Sequence, residues 1–157
     1  MPGSAENTHR VFIRRKMPAP REVVYEAWIA PEGIREWMCP GDTISAEAVL
    51  DVRVGGSYRI VMKGKERHHI HTGVYQLVEP NSKLVFTWTQ EGNESTTLVT
   101  VEFLPHGSES ELVLTHERLT KADIAQRYQN GWGTIAAKLA AFLAKNAAET
   151  VLKKGLN

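Results

Sequence analysis

Histidines, one cysteine and one pair of opposite charges are the residues through which this chain could do chemistry. His68, His69 and His71 stand close together. On a strand, His69 and His71 share a face and His68 takes the other. Two imidazoles at that spacing can contribute to a metal site, but zinc takes three or four ligands. Neither Cys39 nor Glu66 stands at a diagnostic spacing from them. The cluster therefore reads as a solvated or partly buried strand end, and no metal is expected. His116 follows Leu112 and Leu114 at alternate positions, so it points inward with them. Two readings stay open for it. It is a polar group in a cavity, bonding a ligand or acting as a base, or it is a core histidine bonded to a backbone carbonyl. No nucleophile accompanies it: Gly-x-Ser-x-Gly is absent, and Cys39 has no histidine beside it in the sequence. Asp51 and Arg53 precede Gly55-Gly56 and read as a surface pair at a bend, worth ~0–1 kcal/mol. These glycines join strand to strand, so they make no phosphate loop ahead of a helix. Neither a catalytic set nor a cofactor follows from these residues.

The four tryptophans are the other candidates. Trp28 and Trp37 are expected to staple two short helices to the open end of a sheet. Trp88 and Trp132 are expected to face each other across the core, where their rings could line a cleft or fill it.

The elements that must position these groups follow from patterning. Residues 9–16 have the β-branched and aromatic content of a strand. Pro20 can open a helix over residues 21–29, with Val24, Ala27 and Trp28 on one face. Residues 31–38 follow as a second short helix with Ile34, Trp37 and Met38 inward. Strands are then expected at residues 43–51, 57–63, 68–79, 83–89, 97–104 and 111–116, with Gly73 marking a bulge. The alternation turns Tyr58, Ile60 and Met62 to one face, then Leu84, Phe86 and Trp88, then Val99, Val101 and Phe103. From Thr120, a plausible N-cap, the period changes. Ile124, Tyr128, Trp132, Ile135, Leu139, Phe142, Leu143 and Val151 form one helical stripe. Gly131 and Gly133 interrupt it and ask for a close approach or a kink.

The expected fold is α+β: a curved antiparallel sheet wrapped around a long C-terminal helix, with two short helices after the first strand. Its 157 residues suit one domain, with residues 1–8 frayed. Nineteen basic residues against eighteen acidic ones leave a net charge of +1, without the basic excess that nucleic-acid binding uses. No run of ~18 apolar residues suggests a membrane span. A single cysteine and an N-terminus without an apolar stretch lead to the expectation of a cytoplasmic protein.

In this order, the motifs resemble a known family. Pro20 and Val24 through Ala27-Trp28, then Pro31-Glu32 and Trp37, resemble its two first helices. Asp51 to Arg59, with Gly55-Gly56 and Tyr58, is similar to its aspartate–arginine–GG–tyrosine–arginine signature. Gly73 to Tyr75, Leu84 to Trp88, Leu114 to His116 and Gly131-Trp132 complete the set. The chain resembles the START-like (SRPBCC) superfamily over residues 9–145, and within it the homologues of the activator of heat-shock-protein 90 ATPase. The resemblance implies the helix-grip fold. It also implies a range of roles: lipid and hormone carriers, polyketide cyclases and co-chaperone domains. Fold does not fix which.

The reading favoured by residues and resemblance together is binding of a small, mostly apolar ligand between sheet and C-terminal helix, without catalysis. The expected lining is Tyr58, Ile60, Met62, Phe86, Trp88, Val99, Val101, Leu114, His116, Tyr128 and Trp132. The alternatives are a protein-interaction module with a chaperone partner, and a cyclase- or hydrolase-type enzyme using His116.

Overall fold

The computed structural model describes residues 8–92 and 95–155, with side chains through residue 148. Residues 1–7 of the stretch expected to fray, and the side chain of Val151, lie outside them. The chain opens with β1 (His9–Met17), then α1 (Arg21–Ile29) and α2 (Pro31–Trp37). Six strands follow: β2 (Ser45–Leu50), β3 (Ser57–Lys63), β4 (His68–Glu79), β5 (Lys83–Gln90), β6 (Thr97–His106) and β7 (Glu109–Leu119). The final helix is α3 (Ala122–Gly155).

The strands form one antiparallel sheet in the order β1-β7-β6-β5-β4-β3-β2. Strands β2 to β7 are a meander, because short turns make sequence neighbours into sheet neighbours. β1 is the exception. It pairs with β7, the strand farthest from it in sequence, with Val11 opposite His116 and Ile13 opposite Leu114.

Alternation decides which face is buried. Tyr58, Ile60 and Met62 are buried, as are Leu84, Phe86, Trp88, Val99, Val101, Phe103, Leu112 and Leu114. Their neighbours Arg59 and Ser57 face water. On α3 the inner stripe runs through Trp132, Ile135, Leu139 and Leu143, all buried, while Ile124, Tyr128 and Phe142 are half-buried. Pro20 starts α1 as expected, its carbonyl accepting from the Val24 amide, and Trp28 of α1 lies 4.9 Å from Trp37 of α2 between ring centroids. These helices do more than close an end. Trp28 also stacks at 6.3 Å on Trp132 and meets Phe86 and Phe103 at 6.4 Å, so aromatic rings fill the middle of the sheet–helix space.

Four details differ from the sequence expectation. α3 starts at Ala122, two residues after Thr120, and is 34 residues long, about 50 Å at 1.5 Å per residue. β7 runs past His116 to Leu119. The ladder irregularity in β4 falls between Tyr75 and Leu77; Gly73 instead serves a close approach. A Cβ there would sit 1.9 Å from the Thr87 carbonyl oxygen and 2.6 Å from the Tyr58 ring. Finally, α3 continues unbroken through Gly131 and Gly133. A Cβ at Gly133 would meet nothing within 4 Å, and one at Gly131 only Pro40 at 3.6 Å.

Candidate functional site

Two contacts hold α3 against the β1–β7 side of the sheet. Gln129 Nε2 donates to the Phe12 carbonyl at 3.1 Å. Trp132 Nε1 donates to His116 Nδ1 at 3.0 Å. A helix is only ~10 Å wide, so the β3–β4 side extends beyond it. Residues 40–43 cover part of that gap, tied down by Lys138 Nζ donating to the Cys39 carbonyl at 2.5 Å. What remains is a cavity of about 430 Å³ between residues 40–43, β3, β4, β5 and the first half of α3. That is within the range of small-molecule sites.

Its apolar wall is Met62, Trp88, Ile124, Trp132 and Ile135. Its polar groups are Thr43, His69, His71, Gln90, Tyr128, Asn130 and Thr134, with Asp42 and Arg127 carrying the formal charges. Both charged residues are exposed. A second hollow of about 270 Å³ adjoins it, sharing Trp88, Gln90, Ile124 and Tyr128 and reaching Arg118 and Lys121.

Of the residues expected to line a ligand cavity, Met62, Trp88, Tyr128 and Trp132 do so. Tyr58, Ile60 and Phe86 surround only a crevice of about 20 Å³, room for a water at most. Val99, Val101, Leu114 and His116 are buried and line none of these three cavities. The reason is volume. Trp88 and Trp132, 5.1 Å apart, occupy the space above them.

His116 is wholly buried, and the network around it specifies its state. Nδ1 accepts from Trp132, so the ring proton is on Nε2. Nε2 lies 2.7 Å from Thr97 Oγ1 and donates to it, and that hydroxyl in turn donates a hydrogen bond to the Trp88 carbonyl at 2.8 Å. Both ring nitrogens are spent on the protein. Of the two sequence readings, the geometry matches a core histidine, although its partners are side chains where a backbone carbonyl was expected.

The cavity histidine is His71, which the expected lining omitted. It is 5% exposed, more deeply buried than the solvated or partly buried strand end expected of the cluster. Its ring stacks on Trp88 at 4.4 Å, and its Nδ1 is buried without a hydrogen-bond partner in the protein. His69, on the same face, is half-buried, with Nδ1 3.3 Å from Gln90 Nε2. The sequence leaves the inward face of residues 68–79 open, because Ile70, Val74 and Val78 alternate against His69, His71 and Tyr75; the burial of Tyr75 and His71 in the fold decides it. Among the described residues, no group of three histidine, cysteine or acidic side chains is placed to hold a metal ion. Asp51 and Arg53 form the surface pair, 2.9 Å apart.

Burial lowers His71 to a pKa of about 4, with a smaller push from His69. It lowers His116 to about 3, with a smaller push from His71. Both start from an ordinary value of 6.5, so both are neutral in the fold and the unfolded chain takes up their protons first. Stability is therefore complete above about pH 6.5 and falls as pH drops toward the folded values, by ~1.4 kcal/mol per pH unit for each histidine. Urea melts should lose about 3–4 kcal/mol between about pH 7.5 and pH 5, where few carboxylates titrate. A flat profile would show that these imidazoles accept protons without unfolding.

A sequence model of the family described as "Activator of Hsp90 ATPase homolog 1-like protein" matches residues 18–144. The chain belongs to this family. A protein of Rhizobium leguminosarum has the same fold, with a TM-score of 0.75 at 27% identity over 88% of this chain and 95% of the other. A protein of Rhodobacter sphaeroides superposes with a TM-score of 0.77 at 26% identity, covering 87% and 93%. Protein CV1439 of Chromobacterium violaceum gives 0.75 at 24% identity, covering 87% and 97%. No curated protein is significantly similar in sequence. No helix among the described residues is long and apolar enough to cross a membrane.

Proposed function

We propose that this family member binds one small, mostly apolar molecule in the cavity beside α3 and does no chemistry on it. The observation that carries this reading is the cavity itself: about 430 Å³, open to the surface between α3 and the β3–β4 flank, beside a core packed with aromatic rings. The engaged nitrogens of His116 favour binding over acid–base work at that residue. The reduced Cys39, buried with its thiol donating to the Arg35 carbonyl, suits the cytoplasm.

An apolar fluorescent probe such as Nile red should bind saturably, one per chain, and quench tryptophan emission, because Trp88 and Trp132 form the wall. Gly131→Leu should abolish binding. A Cβ at Gly131 makes only an ordinary contact with Pro40, a longer side chain fills the mouth, and leucine gains ~0.5–1 kcal/mol over glycine in a helix. A folded protein that binds none of several apolar probes would end this reading. The family description would then put a chaperone-type protein partner first, testable by stimulation of a chaperone ATPase.

A further inference from the structure

The two hollows beside α3 meet to form one groove with unlike ends. Gln90, Ile124 and Tyr128 line both, and all three are half-buried, so they are surface that a bound molecule can touch. On one side of this junction lies the larger cavity. On the other lies the hollow of about 270 Å³, lined by Arg118 and Lys121. Lys121, whose carbonyl accepts from the Ala125 amide, leads into α3. Ile124 and Arg127 follow it at intervals of three, along one helix face, and Arg127 lines the larger cavity. Arg118, Lys121 and Arg127 are all exposed.

These three cations lack protein counter-charges. The ion pairs among the described residues are Arg14–Glu111, Arg21–Glu22, Arg53–Asp51 and Lys63–Glu47. No acidic residue among the described ones lines the smaller hollow, and Asp42 lines only the larger cavity, from residues 40–43. Other unpaired cations, such as Arg59, project from the outer sheet face. These three surround a hollow, where charge of one sign favours a ligand of the other. Resting on the ligand-binding reading above, we propose that the occupant is an anionic amphiphile. Its apolar body lies in the larger cavity, and its single anionic group, a carboxylate or a phosphate, is held by Arg118 and Lys121 with Arg127 at the junction.

The test compares decanoate, decyl phosphate, decanol and decylammonium, which share one alkyl chain, near neutral pH. Binding to the full chain is read by calorimetry and by displacement of Nile red. At about 20 mM salt the two anions should bind at least about fivefold more tightly than decanol, a modest factor because exposed charges contribute little each. The advantage should shrink as salt rises to about 0.5 M, and decylammonium should bind most weakly. Whichever anion binds more tightly identifies the anionic group. In the triple variant Arg118→Asn, Lys121→Gln, Arg127→Gln the anion-to-decanol ratio should fall toward one. Asparagine is chosen because residue 118 has a φ of 70°, which asparagine tolerates. Arg15→Gln, Lys16→Gln, Arg59→Gln removes as much charge from exposed positions outside both hollows and should leave the ratio unchanged. Decanol binding as tightly as the anions would overturn the proposal while leaving the cavity reading intact. So would a preference for decylammonium, a ratio that survives the first triple variant, or a ratio that falls equally in both. If Nile red binds and none of the four displaces it, the proposal alone fails. If Nile red and all four fail to bind, both readings fall.

Discussion

Gly73→Ala should cost the protein about 2–6 kcal/mol, a large fraction of what a domain has. Gly73 on β4 pairs with Tyr58 on β3. The Tyr58 ring crosses over it, and Tyr58 Oη donates to the Thr87 carbonyl on β5 at 2.5 Å. The Val74 amide beside it takes Thr87 Oγ1 as acceptor at 2.9 Å. A methyl group at residue 73 would lie 1.9 Å from the Thr87 oxygen and 2.6 Å from the phenol. One of these atoms is backbone, so β4 and β5 must part. Overpacking of this kind costs ~1–3 kcal/mol, and stranding the buried Tyr58 hydroxyl adds ~1–3 kcal/mol. Gly133→Ala is the control. A Cβ there has open space, and the same substitution in a helix should stabilise by about 0.5–1 kcal/mol. Urea melts of both variants check the pair. A Gly73→Ala melt within ~1 kcal/mol of the native protein would show that Tyr58 does not cross at that point.

Trp132→Ala should lose ~3–5 kcal/mol from the ring alone, much of the ~5–15 kcal/mol that a domain has. The side chain is 2% exposed and is the one ring that touches Trp28 on α1, Trp88 on β5 and His116 on β7. Removing it also leaves His116 Nδ1 without a donor, in a site where the imidazole is held neutral. Trp132→Phe separates the two contributions. It keeps most of the packing and loses the N–H, so it should cost ~1–3 kcal/mol. If thermal and denaturant melts of Trp132→Ala show a loss under ~1 kcal/mol, the placement of α3 over His116 is wrong.

Both substitutions were within reach of the sequence to different degrees. The inward position of Trp132 follows from a stripe of spacing three and four, which is local and survives any tertiary arrangement. The role of Gly73 does not follow. A lone glycine in a strand signals a bulge or a close approach, and only the register, with Tyr58 opposite and Thr87 one strand further, selects the second. The same limit applies to His116. Its inward direction is a matter of alternation, but its two partners come from β6 and α3, brought together by folding.

Period and punctuation in the sequence thus determined the elements, their order and the inner faces: Tyr58, Ile60 and Met62, Phe86 and Trp88, Val99 and Val101, the α3 stripe. These are short-range properties, set by backbone geometry and side-chain polarity within a few residues. Tertiary structure alone decided where the space is. Whether Val101 or His71 meets a ligand depends on how large rings from distant segments share one volume, and on which flank of the sheet α3 leaves uncovered. Pairing of β1 with β7, and the bonds from Gln129 and Trp132, draw the helix to that side. The opening therefore falls at the β3–β4 flank, beside a histidine whose burial depends on Trp88 reaching it from the next strand.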